Sequence, residues 1–254
     1  MPDRPAPPTE GATEGPSDAP TDAHLTAQGL RPEGEAGGEG RVLALACGAL
    51  AHEILAIKAA NGWTHLDLHC LPANLHLWPD RIPDAVEAAV GKYRARYDEI
   101  FVVYADCGTG GLLQARCEAL GVEMVEGPHC YAFFSGNADF AARAEDEITA
   151  FYLTDFLVRQ FDAFVWRPMG FDRHPELIGM MFGNYERLIY LAQIDDPALD
   201  AMARDCAERL GLAYERRVTG YGDLVPALEA AAARRGYARA RFGSCVGPPR
   251  TLVL

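Results

Sequence analysis

Between residues 42 and 125 the chain repeats one pattern: a short apolar run, a turn, then a stretch with helical spacing. Residues 42–46 read as a buried strand. Residues 49–60 read as a helix, with Leu50, Ile54, Leu55 and Ile57 on its apolar face and Asn61-Gly62 as its stop. Residues 64–70 alternate as a second strand does: Leu66 and Leu68 fall on one face, His65, Asp67 and His69 on the other. A helix over 83–97 follows, with Pro83 near its start. Residues 100–104 form a third strand. It runs into Asp106-Cys107-Gly108-Thr109-Gly110-Gly111 and a helix over 112–120. A fourth strand is expected at 122–125. Such alternation implies parallel strands with right-handed crossovers, and ligands bind beyond the carboxyl ends of strands in such sheets.

The rest of the chain predicts less regular structure. Residues 140–162 have the look of one long helix, with Phe151, Phe156 and Phe161 among its apolar positions. Residues 188–192 and 213–218 are strands. Between them lies a helix over 198–210, capped by the acids of Asp195-Asp196-Pro197. A last helix covers 224–235. The expected fold class is therefore α/β, with a parallel-sheet, Rossmann-like first part and a smaller second α/β part joined by a long helix. The divisions are a disordered acidic tail over 1–40, an α/β part with a Cys/His site over 41–136, a helical connection over 137–185, and the second part with its tail over 186–254. The tail assignment rests on composition: residues 1–40 hold eight acids against two bases and almost no large apolar side chains.

Charge narrows the function. A net charge of -13 argues against nucleic acid, whose phosphates need a basic face. There is no secretory leader and no apolar run of about 18 residues, so neither export nor a membrane span is expected. Seven cysteines in such a chain point to a reducing cytoplasm, with thiols free or on metal.

Five of the seven cysteines and five of the seven histidines lie between residues 47 and 130. Thiolate and imidazole are the ligands zinc prefers, but no CxxC and no HExxH is present, so ligands would have to gather from separate strand ends. Cys47 and Cys107 are the leading candidates. Each is followed by glycine and stands near a helix start, where the dipole lowers a thiol's pKa. Cys130, after His129, is the third. His76, in a loop bracketed by Pro72 and Pro79, is a fourth ligand or a proton donor, with His69 as its substitute. Cys117 and Cys206 read as core, Cys245 as incidental. Gly108-Thr109-Gly110-Gly111 has the makings of an anion or cofactor cradle, though it matches no nucleotide motif. Asp106 is expected to orient a histidine or a ligand, or else to cap the following helix. Tyr131, Phe133, Phe134, Tyr152, Trp166, Phe171, Met180, Met181 and Phe182 line an apolar cavity or make up core.

Ala46-Cys47-Gly48-Ala49-Leu50, Leu71-Pro72 with His76, Tyr104-Ala105-Asp106-Cys107-Gly108 and the Cys130 segment resemble the family called domain of unknown function 1638. The resemblance covers about residues 40–230. The chain departs from the family pattern at Ala105, where glycine is usual, and at His129, where Asp is usual. The family's association with corrinoid-dependent methyl transfer implies a corrinoid-binding protein or a methyltransferase subunit as partner. It also implies a zinc ion on Cys47, Cys107 and Cys130 with His76, acting on a small-molecule thiol such as homocysteine, as in methionine biosynthesis. Cys107, Asp106 and His76 would then be the catalytic groups. The alternative is a non-catalytic module that closes on a small ligand, its cysteines being core; thiol redox chemistry is a third reading.

Overall fold

The computed structural model describes residues 19–32 and 37–234. In chain order the elements are α1 (Asp22–Ala27), β1 (Gly38–Cys47), α2 (Ala51–Ala60), β2 (Leu66–Leu71), α3 (Ile82–Tyr93), β3 (Tyr97–Val103), α4 (Leu112–Leu120), β4 (Glu123–Met124), α5 (Cys130–Ser135) and α6 (Asn137–Ala142). They continue with β5 (Ala150–Thr154), α7 (Asp155–Arg159), α8 (Leu177–Phe182), β6 (Arg187–Ala192), α9 (Pro197–Leu210), β7 (Ala213–Val218) and α10 (Leu224–Ala233).

Two parallel sheets result, one ordered β2-β1-β3-β4 and the other β5-β6-β7. The first is Rossmann-like, as the alternating pattern implies. From Val42 to Cys47 every residue of β1 is buried, so both faces of the sheet are covered, which is why the strand reads as a continuous apolar run. Leu224, Leu228 and Ala231 of α10 are part of this first core, so the chain returns to it after completing the second sheet. Asp196 caps α9 by accepting from the Ala198 N–H at 2.8 Å, as the acid-Pro signal predicts.

The long helix over 140–162 does not form. Its middle is β5, paired in parallel with β6 from Ala150 to Thr154. A five-residue apolar run carries no decisive period, so its partner decides its conformation. Here β6 offers a complete ladder, and the Thr154 hydroxyl accepts from the Leu157 N–H to start α7 afresh. The second α/β part therefore begins at β5, inside the expected connection.

The tail assignment also fails over its described portion. Residues 19–32 form α1 and a bridge in which Leu30 exchanges both backbone hydrogen bonds with Cys70, at 2.9 and 2.8 Å. One residue accounts for this: Leu25, with no exposed surface, packs into the first core. Residues 1–18 and 33–36, and Cys245, lie outside the described residues. Replacing Leu25 by Ala is expected to cost about 2–4 kcal/mol in urea unfolding; a loss under about 0.5 kcal/mol would mean that the segment is not packed.

Candidate functional site

The strand order creates the site. From β1 the chain moves outward to β2, and from β3 it moves outward to β4 on the other side. The adjacent strands β1 and β3 thus send their connections in opposite directions, and a crevice opens beyond their carboxyl ends. Ala46 pairs with Val103 and Cys47 with Leu71, which sets Cys47 and Tyr104 at this edge. His76 arrives on a short 3-10 helix, Ala73–Leu77, after β2; Cys107 on the loop after β3; Cys130 at the start of α5.

These groups converge. The His76 Nδ1 lies 3.5 Å from the Cys47 sulfur and 3.2 Å from the Ala73 carbonyl oxygen. A carbonyl only accepts, so Nδ1 carries a proton and Nε2 is the nitrogen left with a lone pair. Burial pushes His76 down, but Cys107 beside it and the Ala73 carbonyl outweigh that and hold its pKa above the ordinary value. The imidazole stacks on Tyr104, with centroids 6.0 Å apart and planes within 11°. Burial also pushes Cys47 up to about 12, against the opposing Ala49 N–H and Tyr104. Cys130 is raised by burial and then by Cys107 and Cys47, which places the three sulfurs within electrostatic reach of one another.

Two expectations change. A helix-start dipole does not activate Cys47. The Ala49 N–H does reach its sulfur at 3.3 Å, but loss of solvent is the larger effect and the thiol stays protonated. Nor does the glycine after it admit a ligand: a Cβ on Gly48 would come within 2.5 Å of the Leu25 carbonyl oxygen, so the close approach belongs to the chain's own α1.

The glycine loop is likewise not an open cradle. Asp106 accepts from the Thr109 hydroxyl at 2.7 Å and from the N–H groups of Gly110 and Gly111 at 3.1 and 2.7 Å. The loop is wrapped around its own carboxylate, so these donors do not face a bound anion. Burial raises Asp106, but these bonds prevail and lower it. The winding forces Cys107 to a φ of 50°, the left-handed region, and among the described residues it is the one non-glycine to do so. Gly108 follows at 82°. Side chains with a Cβ avoid this region, and strain of this kind gathers at functional sites. Asp106→Ala would hand the exposed N–H groups of Gly110 and Gly111 to water and is expected to cost about 0.5–1.5 kcal/mol in denaturant unfolding.

The remaining candidates separate. His69 turns onto Tyr93, with centroids 4.9 Å apart; burial lowers it to about 4, so it does not substitute for His76. Cys117 is buried in α4 and Cys206 in the second core. The aromatic and Met set divides among three packing clusters, and Met180 is 79% exposed, so these residues do not line one cavity. Among the described residues no three His, Cys, Asp or Glu side chains are arranged to hold a metal ion as they stand. The donor set itself, three sulfurs and an imidazole, is the kind zinc takes.

Tyr104 and Glu53 escaped the sequence reading. Tyr104 is fully buried and its hydroxyl has no hydrogen-bond partner of good geometry, although Cys47 is its neighbour. Its place at the head of the Cys107 segment was the available signal. Glu53 is 4% exposed on α2; it sits three residues after Leu50 and four before Ile57, on the apolar stripe. An acid on such a stripe is the mark of a buried ionisable group.

The protein family model described as protein of unknown function (DUF1638) matches residues 70–228. The chain belongs to this family. Comparison with curated proteins and with solved structures finds no match. The matched span runs from the end of β2 to α10, so it includes His76, Cys107 and Cys130, while Cys47 and Glu53 precede it. Among the described residues no helix is long and apolar enough to cross a membrane.

Burial raises Glu53 to about 7, with its own backbone N–H and Arg159 opposing and Asp155 adding to the rise. A raised carboxyl stabilises the fold below its unfolded pKa, and that contribution is lost as pH rises through the folded value. Wild type should therefore lose stability between about pH 5 and about pH 8 that Glu53→Gln retains. Parallel stability profiles for the two proteins would refute this assignment.

Proposed function

We propose that Cys47, Cys107 and Cys130, with His76, hold a zinc ion, and that the protein serves methyl transfer from a corrinoid carried by a partner protein to a small-molecule thiol such as homocysteine. The observation that supports this reading is His76 lying against Cys47 and beside Cys107, whose loop holds it in a left-handed conformation, with Cys130 within electrostatic reach of both sulfurs. Burial and the neighbouring Cys107 and Cys47 raise Cys130, so it is a poor anion by itself, and a cation among the sulfurs removes that penalty. Zinc, when bound, lowers the pKa of a thiol and presents it as thiolate to an electrophilic carbon.

The chain's own residues have separate tasks. The Ala73 carbonyl orients His76 and keeps its Nε2 lone pair free to ligate or to accept a thiol proton. Tyr104 backs the imidazole and offers its unpartnered hydroxyl to the sulfur cluster. Asp106 shapes the Cys107 loop rather than touching the reactants.

Metal analysis of protein purified under reduction tests the reading. About one zinc per chain is expected, and Cys107→Ser should weaken metal binding by about tenfold or more. Less than about 0.2 zinc or iron per chain would overturn it.

A further inference from the structure

The carboxyl edges of the two sheets share a cleft of about 530 Å³. His52 and Glu53 reach it from α2, Asp155 and Arg159 from α7, and Tyr221 from the loop after β7. Its charges are unequally matched. Asp22, on the rim, is neutralised where it stands by the His52 Nε2 at 2.9 Å and the Arg159 Nε at 2.5 Å. Asp155 is held in place by the Tyr190 hydroxyl at 2.7 Å and the N–H groups of Gln193 and Ile194, both at 3.1 Å.

Glu53 is different. It lines the cleft with only 4% of its surface exposed, and among the described residues it makes no side-chain hydrogen bond or ion pair with another residue. Arg159, already paired with Asp22, acts on it only at longer range. A carboxylate so buried, with no partner beyond its own backbone N–H, is costly, and a ligand that completes it removes that cost.

The missing partner is a cation. Glu53 and Asp155 face the cleft from its two walls, and the one guanidinium between them is engaged. A metal ion fits poorly, since three protein donors already occupy the Asp155 oxygens and no three acidic, Cys or His groups have the arrangement for one among the described residues. An ammonium group suits better: it brings three donors and demands no fixed coordination. The cleft has room for an amino acid and for larger molecules, and Ala56 and Ile194 offer apolar contact to a ligand's carbon atoms.

We propose that this cleft binds the ammonium group of an amino-acid-sized small molecule, with Glu53 as its counter-ion. The site is independent of the metal reading; where that reading holds, and resting on it in that part alone, the ligand is an aminothiol.

Calorimetry on the full chain tests this with homocysteine, methionine and the deamino analogue of each. Both amino compounds should bind wild type, and the deamino analogues should bind about tenfold more weakly or not at all. Glu53→Gln should abolish that preference, and Glu53→Asp, which keeps the charge, should retain it in weakened form even if the Gln variant does not fold. Chelator treatment should leave methionine binding intact while removing any advantage of homocysteine, so loss of the metal reading would not touch the ammonium site. Failure of both amino compounds to bind, equal binding of the deamino analogues, an unchanged Glu53→Gln profile, or Glu53-dependent binding of magnesium alone would each overturn the proposal.

Discussion

The parallel pairing of β1 with β3 is the constraint on which the rest of this structure depends. It puts the first strand of the sheet between its second and third, so the connections leave in opposite directions and a crevice is unavoidable. Cys47 and Tyr104 then meet at one edge, and the loops that follow deliver His76, Cys107 and Cys130 to the same place. None of these residues is close to all the others in the chain. Their proximity is a property of strand order, which puts β1 between β2 and β3.

Solvent exclusion governs the chemistry at that edge. Helix starts and backbone N–H groups favour anions, yet at Cys47 burial prevails and the sulfur remains a thiol. The same exclusion raises Cys130 and Glu53, and among the described residues it leaves the Tyr104 hydroxyl with no well-aligned partner, Cys47 being its neighbour. The carboxyl edges thus collect polar groups whose requirements the protein alone does not meet. Asp106 and Asp155 show the contrast: each is surrounded by protein donors and is part of the scaffold.

Most of the first sheet was legible because a strand buried on both faces is a plain apolar run, and Gly or Pro marks most of its turns. The contact of His76 with Cys47 followed from that topology. What escaped were features set by partners distant in sequence. Residues 150–154 are a strand because β6 lies beside them, and the helix-like spacing of Phe151, Phe156 and Phe161 concealed it. The glycines after Cys107 resembled an anion cradle because the sequence does not say which way Asp106 turns. Glu53 was hidden among apolar neighbours, although its position on their stripe was the clue.

Leu25, Asp22 and the Leu30–Cys70 bridge have a practical meaning for where this protein can be cut. Low hydrophobicity and acidic charge invite trimming at residue 40, and the family match begins later still, at residue 70. A chain shortened to either point lacks the leucine that plugs the first core and the carboxylate that joins α2 to α7. It also lacks the backbone that covers Gly48 directly behind Cys47. Residues 19–32 thus cover the back of Cys47 and clasp α2 to α7, and a protein without them would report on a different molecule.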